Sequence, residues 1–374
     1  MAHMLEVTEP DAMESGAIVL VFLGLLGACV GSFLNVVVYR LPRGLSVQTP
    51  SRSFCPSCGA TIPWWLNLPI ISWLWLRGKS ACCHKPIAAR YWLVEVACTA
   101  LFLLIGWVFA YERFDTQLWL CLWAAALLAL LAMDWELMVV HPTVAVLAAG
   151  AGYCAAVNDP TLCDPSAVTY LEGVLWGLVG AAGGYLFFRL VALGGRLLFG
   201  RRRLTFAGDE PWLLRQQGED IVLSVADKNY AWSEVFPESS AMIQLHDAVV
   251  EGEPAPRGTA SLTEDALLLP GGVRRELETY DHLSGTCRGL TLHREAMGSG
   301  DAWIAMAIGA LCGWQGVVFA LVGGSFIGLF MAALMRIRRG VPMPFGPAII
   351  LAAYVWLFWG PQLLALYTQY FKYE

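Results

Sequence analysis

Uncharged apolar runs, separated by short polar stretches, dominate the chain. Residues 17–39 carry no charge at all. Further runs cover about residues 91–110, 118–133, 137–157, 170–193 and 345–367. Each approaches the roughly 20 apolar residues that cross a bilayer. Residues 302–335 are too many for one crossing, and Gly313-Trp314-Gln315-Gly316 breaks them into a hairpin of two shorter helices. The pattern predicts an all-α polytopic membrane protein with about eight transmembrane helices. The first run is too long, and lacks the basic flank, for a cleaved signal peptide.

Composition agrees with that reading. Of 374 residues, 57% are hydrophobic and only 14% charged, where a soluble protein carries about a quarter charged. Disorder and a small disulfide scaffold are excluded. The net charge of −6 is unevenly spread: residues 201–295 hold 10 basic and 16 acidic residues, and the remainder balances. About a hundred acidic, polar residues therefore interrupt an apolar chain, which predicts a soluble insert, a small folded accessory module. No stretch reads as a nucleic-acid patch.

Charge also orients the helices. Residues 40–90 contain seven basic residues (Arg40, Arg43, Arg52, Arg77, Lys79, Lys85, Arg90) and no acid. With alternating spans, this loop, the insert and the Arg336, Arg338, Arg339 cluster share a side, which the positive-inside rule assigns to the cytoplasm. The expected organisation is a periplasmic N-terminus and first helix (1–40), a basic cytoplasmic loop (41–90), helices two to five (91–200), the cytoplasmic insert (201–296) and the last three helices (297–374).

Two sets of residues carry chemistry. In the basic loop, Cys55 and Cys58 form a Cys-x-x-Cys pair, and Cys82-Cys83-His84 follows some 24 residues later. Thiolates at this spacing can close a tetrahedron around structural zinc, and a reducing cytosol argues against disulfides. Cys82 and Cys83, as neighbours, are expected to point apart, which leaves His84 as a candidate ligand. The other set is acidic. Asp134 ends one apolar run and Asp301 opens another, inside Gly298-Ser299-Gly300-Asp301. A carboxylate at a bilayer boundary is costly and usually functional. Two on one side can share a proton, one activating water while the other protonates a peptide carbonyl.

These residues resemble the type IV prepilin peptidases, GxGD-type membrane aspartic proteases. The resemblance rests on GSFLNVVVYRLP (31–42), CPSCG (55–59), NLPIISWLWLRGK (67–79), RYWLVE (90–95), GSGD (298–301) and PFGP (344–347), in family order. It implies cytoplasmic-face removal of the leader of type IV prepilins and secretion pseudopilins. Methylation of the new N-terminus from S-adenosylmethionine is implied with less support. By position it makes Asp134 and Asp301 the catalytic pair, and Cys55, Cys58 and Cys83 zinc thiolates, with Cys82 or His84 completing the site. The chain departs from the family at Ser80, where the second cysteine pair would begin, at Trp303 in place of a lysine, at Val140-His141-Pro142-Thr143, and in the insert. Two rivals remain: an ion-coupled transporter, which would place its acids mid-span, and a zinc-containing membrane scaffold, which would leave the aspartates idle.

Overall fold

The computed structural model describes residues 9–49, 53–55, 57–110, 112–199, 201–217, 220–225, 228–231, 242–252, 256–263, 266–270, 273–277, 282–293, 298, 300–335 and 343–371. Arg52 and the 336–339 cluster lie outside them. The chain divides into two compact units, Met1–Phe188 with Ser299–Glu374, and Arg189–Gly298.

The helices are α1 (Glu9–Arg40), α2 (Ile71–Trp75), α3 (Ala89–Val108), α4 (Phe114–Leu137), α5 (Pro142–Asn158), α6 (Tyr170–Phe199), α7 (Gly300–Leu334) and α8 (Gly346–Phe371). Six stretches among the described residues are long and apolar enough to cross a membrane, and α5 is apolar but shorter. Pro142 opens α5, where its missing N–H costs nothing.

Small residues set the helix spacing. A side chain at Gly31 would come within 2.7 Å of the Glu95 backbone, and one at Gly27 within 2.9 Å of Thr99. Glycines therefore let α1 lie directly on α3. Gly180 and Gly184 of α6 meet the Gly309 and Ala305 carbonyls of α7 in the same way. Two buried polar side chains of this unit bond backbone carbonyls, since lipid offers no partner. Trp123 Nε1 donates to the Ala307 carbonyl at 2.8 Å and the Tyr354 hydroxyl to the Ala124 carbonyl at 2.7 Å. Both bonds fasten α4, the most buried helix, to its neighbours.

The break expected in 302–335 falls at Gly313, whose φ of 62° and ψ of −169° are not helical. The chain reverses there. Ile304 lies against the Gly346 position, and Gly328 lies against Phe345. In a straight helix these two residues would be about 36 Å apart. The Cys163 thiol donates to the Leu311 carbonyl at 3.1 Å, satisfying backbone that the break sets free.

The all-α expectation fails in the second unit, which is an eight-stranded antiparallel sheet ordered β3-β2-β1-β8-β4-β5-β6-β7. Its strands are β1 (Arg201–Gln217), β2 (Asp220–Val225), β3 (Lys228–Ala231), β4 (Ile243–Val250), β5 (Gly258–Leu262), β6 (Ala266–Leu268), β7 (Arg274–Glu276) and β8 (His282–His293). Alternate residues point to one face. Trp212, Leu214, Leu223, Leu245, Leu262 and Leu290 thus join a common core. The register of β1 on β8 shifts between Thr205 and Glu210. There Asp209 pairs with Arg257 at 2.5 Å and with Arg288 at 2.7 Å.

Candidate active site and metal centre

The last turn of α4 carries Asp134, and its chain leaves through Met138, a left-handed cap with φ 54°. That turn brings Val140 against Gly300, where a side chain would approach it to 2.7 Å. Asp301, the next residue, sits in the first turn of α7. Both aspartates are buried, at 6% and 8% exposure.

Gly346, the first residue of α8, completes the arrangement. A Cβ there would stand 2.5 Å from Asp134 Oδ2 and 2.8 Å from Ile304 Cδ1. Ile304 follows Asp301 by three residues and shares its helix face. Asp134 and Ile304, on the helix that Asp301 opens, thus abut one glycine at one end of the bundle. Asp134 Oδ2 is buried without a hydrogen-bond donor. The need for Gly346 was legible only as part of Pro344-Phe345-Gly346-Pro347; nothing in its spacing announced contact with a carboxylate.

Two further acids act as struts. Glu136 forms a 2.5 Å ion pair with Arg90 at the start of α3. Glu95 accepts the Ile70 N–H at 2.7 Å and so holds a β-branched residue at φ 64°. Trp303 packs edge-on to Tyr185, with ring centres 5.2 Å apart.

The loop sulfurs meet. Cys55, Cys58, Cys82 and Cys83 have all four Sγ atoms within 4.8 Å of one another. The Cys55–Cys83 separation is 3.8 Å and the Cys58–Cys82 separation 3.4 Å. Four thiolates about 2.3 Å from a tetrahedral ion stand roughly 3.8 Å apart, so the set fits zinc. Of the two candidates for the fourth position, Cys82 joins the cluster and His84 does not, contrary to the expectation that Cys82 and Cys83, as neighbours, point apart. The divergence assumed an extended chain. Here the His84 N–H bonds the Ser80 carbonyl at 2.9 Å, closing a helical turn in which adjacent side chains are not opposed. Ser80, in place of a family cysteine, lies 3.0 Å from Cys83 Sγ through its hydroxyl. That contact lowers the Cys83 thiol from its ordinary range. Burial pushes the Cys55 thiol up, but the Ser57 and Cys58 amides outweigh it and bring it down to about 6.

Between α1, this loop and α3 lies a cavity of about 440 Å³. Asn35, Arg40, Trp73, Tyr91, Trp92 and Glu95 are among its walls. Asn35 Nδ2 donates to the Tyr91 carbonyl at 2.9 Å, while its buried Oδ1 has no partner. Trp73 and Trp92 stack with ring centres 5.6 Å apart.

Comparison with known proteins reaches both ends of the chain. The bacterial peptidase A24 N-terminal domain matches residues 25–109, and the type IV leader peptidase family matches residues 279–333. Several relatives carry the name prepilin leader peptidase/N-methyltransferase. The one from Myxococcus xanthus is 36% identical over 199 residues, spanning 52% of this chain and 54% of its own. Those from Stutzerimonas stutzeri and Pseudomonas aeruginosa are 25% and 24% identical, each over 92% of both chains. No solved structure matches the chain. With both domains in order, and relatives that align over nearly their whole length, the chain is similar to the type IV leader peptidases along most of its sequence.

Proposed function

We propose that this chain is a membrane aspartic endopeptidase that removes the leader of type IV prepilins or pseudopilins and methylates the N-terminus so exposed. The observation that carries the peptidase reading is that Asp134 lies buried against Gly346, which also abuts Ile304 of the helix that a second buried acid, Asp301, opens. One carboxylate takes a proton from water as the water attacks the scissile carbonyl, and the other, protonated, donates to the carbonyl oxygen. The C–N bond then breaks and the departing amine takes up a proton. Gly346, with no side chain, leaves room for the substrate backbone beside the acids. A transporter would favour acids at mid-span; Asp134 and Asp301 lie at helix ends instead.

In the same reading, eight membrane segments, with the two arms of α7 counted separately, place the basic loop and the acids on the cytoplasmic side of the inner membrane. Cys55, Cys58, Cys82 and Cys83 would hold a structural zinc that ties the loop together. The cavity is the candidate seat of S-adenosylmethionine, which when bound supplies the methyl group on a cationic sulfur. Its walls are mixed: Glu95 and Asn35 Oδ1 offer acceptors and Trp73, Tyr91 and Trp92 aromatic faces to a cationic sulfur, while Arg40, Lys85 and Arg90 offer positive charge to the donor's carboxylate. Cleavage must come first, since only it frees the amine, which has to shed its proton before it can be methylated.

The test is intact-mass analysis of a prepilin incubated with the purified chain, with and without S-adenosylmethionine. Loss of the leader, followed by gain of one methyl only with the donor present, is expected. An uncut prepilin would refute the peptidase reading; a cut but unmethylated product would refute the second activity.

A further inference from the structure

The segment from Trp64 to Leu76 has two faces. Leu66, Ser72, Trp73 and Leu76 line the cavity. Trp64, Trp65, Ile71, Leu74 and Trp75 turn the other way and are exposed, Trp75 to 82% and Trp64 to 75%. In water such a cluster would be an aggregation hazard, since soluble surfaces rarely gather large apolar groups in one patch. The patch is held in place. The Ile70 N–H bond to Glu95 fixes the unfavourable turn that begins α2, and Gly78, at φ 69°, receives the Trp73 ring against its bare Cα.

We infer that this outward face lies in the headgroup region of the bilayer as an interfacial anchor for the loop. Three observations favour lipid as the occupant. The loop is tethered at both ends by membrane-capable helices, α1 and α3, so it cannot stray far from the bilayer. Tryptophan is the residue that settles at the lipid–water boundary, its apolar ring and N–H suited to both sides. Finally, Arg77, Lys79 and Lys85 follow the patch and are exposed, with no acid anywhere in residues 40–90. That one-sided charge complements anionic headgroups. An uncharged stretch of about a dozen residues is too short to span but long enough to lie in the interface. Anchored in this way, the loop holds its cavity at the depth where a membrane-embedded substrate emerges.

The test uses the full chain in lipid nanodiscs, labelled throughout with 5-fluorotryptophan. The resonances of positions 64, 65 and 75 are assigned by their loss in Trp64→Phe, Trp65→Phe and Trp75→Phe. A spin label carried on a lipid near its headgroup should broaden all three severely, while a water-soluble gadolinium chelate leaves them largely intact. The reverse pattern would overturn the inference. So would resonances open to gadolinium until a prepilin is added and shielded afterwards, which would make the patch a substrate-docking face. None of these readings depends on cleavage or methylation.

Discussion

The two units differ in what they leave outside. The helical unit buries Trp123, Phe102 and Leu127, yet it also turns large apolar side chains outward, with Phe326 and Leu329 about 70% exposed, and glycines let its helices touch. The β unit keeps Trp212, Leu223 and Leu245 inside. Lipid explains the difference. Where the solvent is hydrocarbon, a leucine gains nothing by leaving it, and close backbone packing holds helices together instead. In water the same leucine drives folding. Their acids contrast as well. Asp209 is exposed and clamped by two arginines, whereas Asp134 is buried with a free oxygen facing Gly346. Paired and solvated, a carboxylate is structural; buried where a helix ends, it is available for chemistry.

The largest effect should come from that second contrast. Asp134→Asn and Asp301→Asn should each lower leader cleavage by about 10³-fold or more, with the protein still inserted, because neither acid can perform both proton transfers. Asp209→Asn should leave cleavage near normal. A full rate from either dyad variant, at matched expression, would remove it from the chemistry and blur the division between the two kinds of acid.

The loop gathers four cysteines instead, and the proposed zinc would tie them together. Elemental analysis of protein prepared without chelators should find one zinc per chain, and Cys55→Ser with Cys58→Ser should find none. His84→Ala should keep the ion, while Cys82→Ser should lose most of it. Retention in Cys82→Ser would return His84 to the ligand set.

Packing offers a direct comparison of the units. Leu245→Ala should destabilise the β unit by about 2–5 kcal/mol, read by denaturant-dependent proteolysis of the full chain. Leu329→Ala, on a lipid-facing position, should change helical stability by no more than about 0.5 kcal/mol. Equal costs would show that the two units fold by the same rule.

The smallest effect concerns pH. Hydrogen bonds from Arg257 and then Arg288 lower Asp209 from 3.8 to about 2. The folded unit therefore binds fewer protons than the unfolded one between these values. Its contribution to stability is complete above about pH 4 and lost as pH falls through about 2. Amide exchange in β1 and β8 should accelerate over that window in the wild type, and Asp209→Asn should remove this component.

Particular residues show how far the sequence could be read. The helical unit was legible because uncharged length is itself the signal, and the break at Gly313 was marked by its glycines. The β unit was not read as strands, although β4 alternates buried and partly buried positions along Ile243–Val250. Its β1–β8 pairing joins residues as far apart as Arg201 and His293, which no local pattern announces. At the metal centre the residue types and spacing were plain. The fourth position stayed open between Cys82 and His84 because the direction of adjacent side chains depends on a turn between Ser80 and His84 that spacing does not reveal.

The sequence by itself determined which segments avoid water, which side of the membrane collects positive charge, and which few polar groups are costly enough to need a purpose. These are sums over local transfer free energies, and a string of residues contains them. Only the tertiary structure decided that Asp134 and the Ile304 turn that follows Asp301 abut Gly346, that four sulfurs and no imidazole gather, and that Asn35 and Glu95 wall one cavity. Those are coincidences in space between residues tens to hundreds of positions apart, fixed by how closely glycine-lined helices approach.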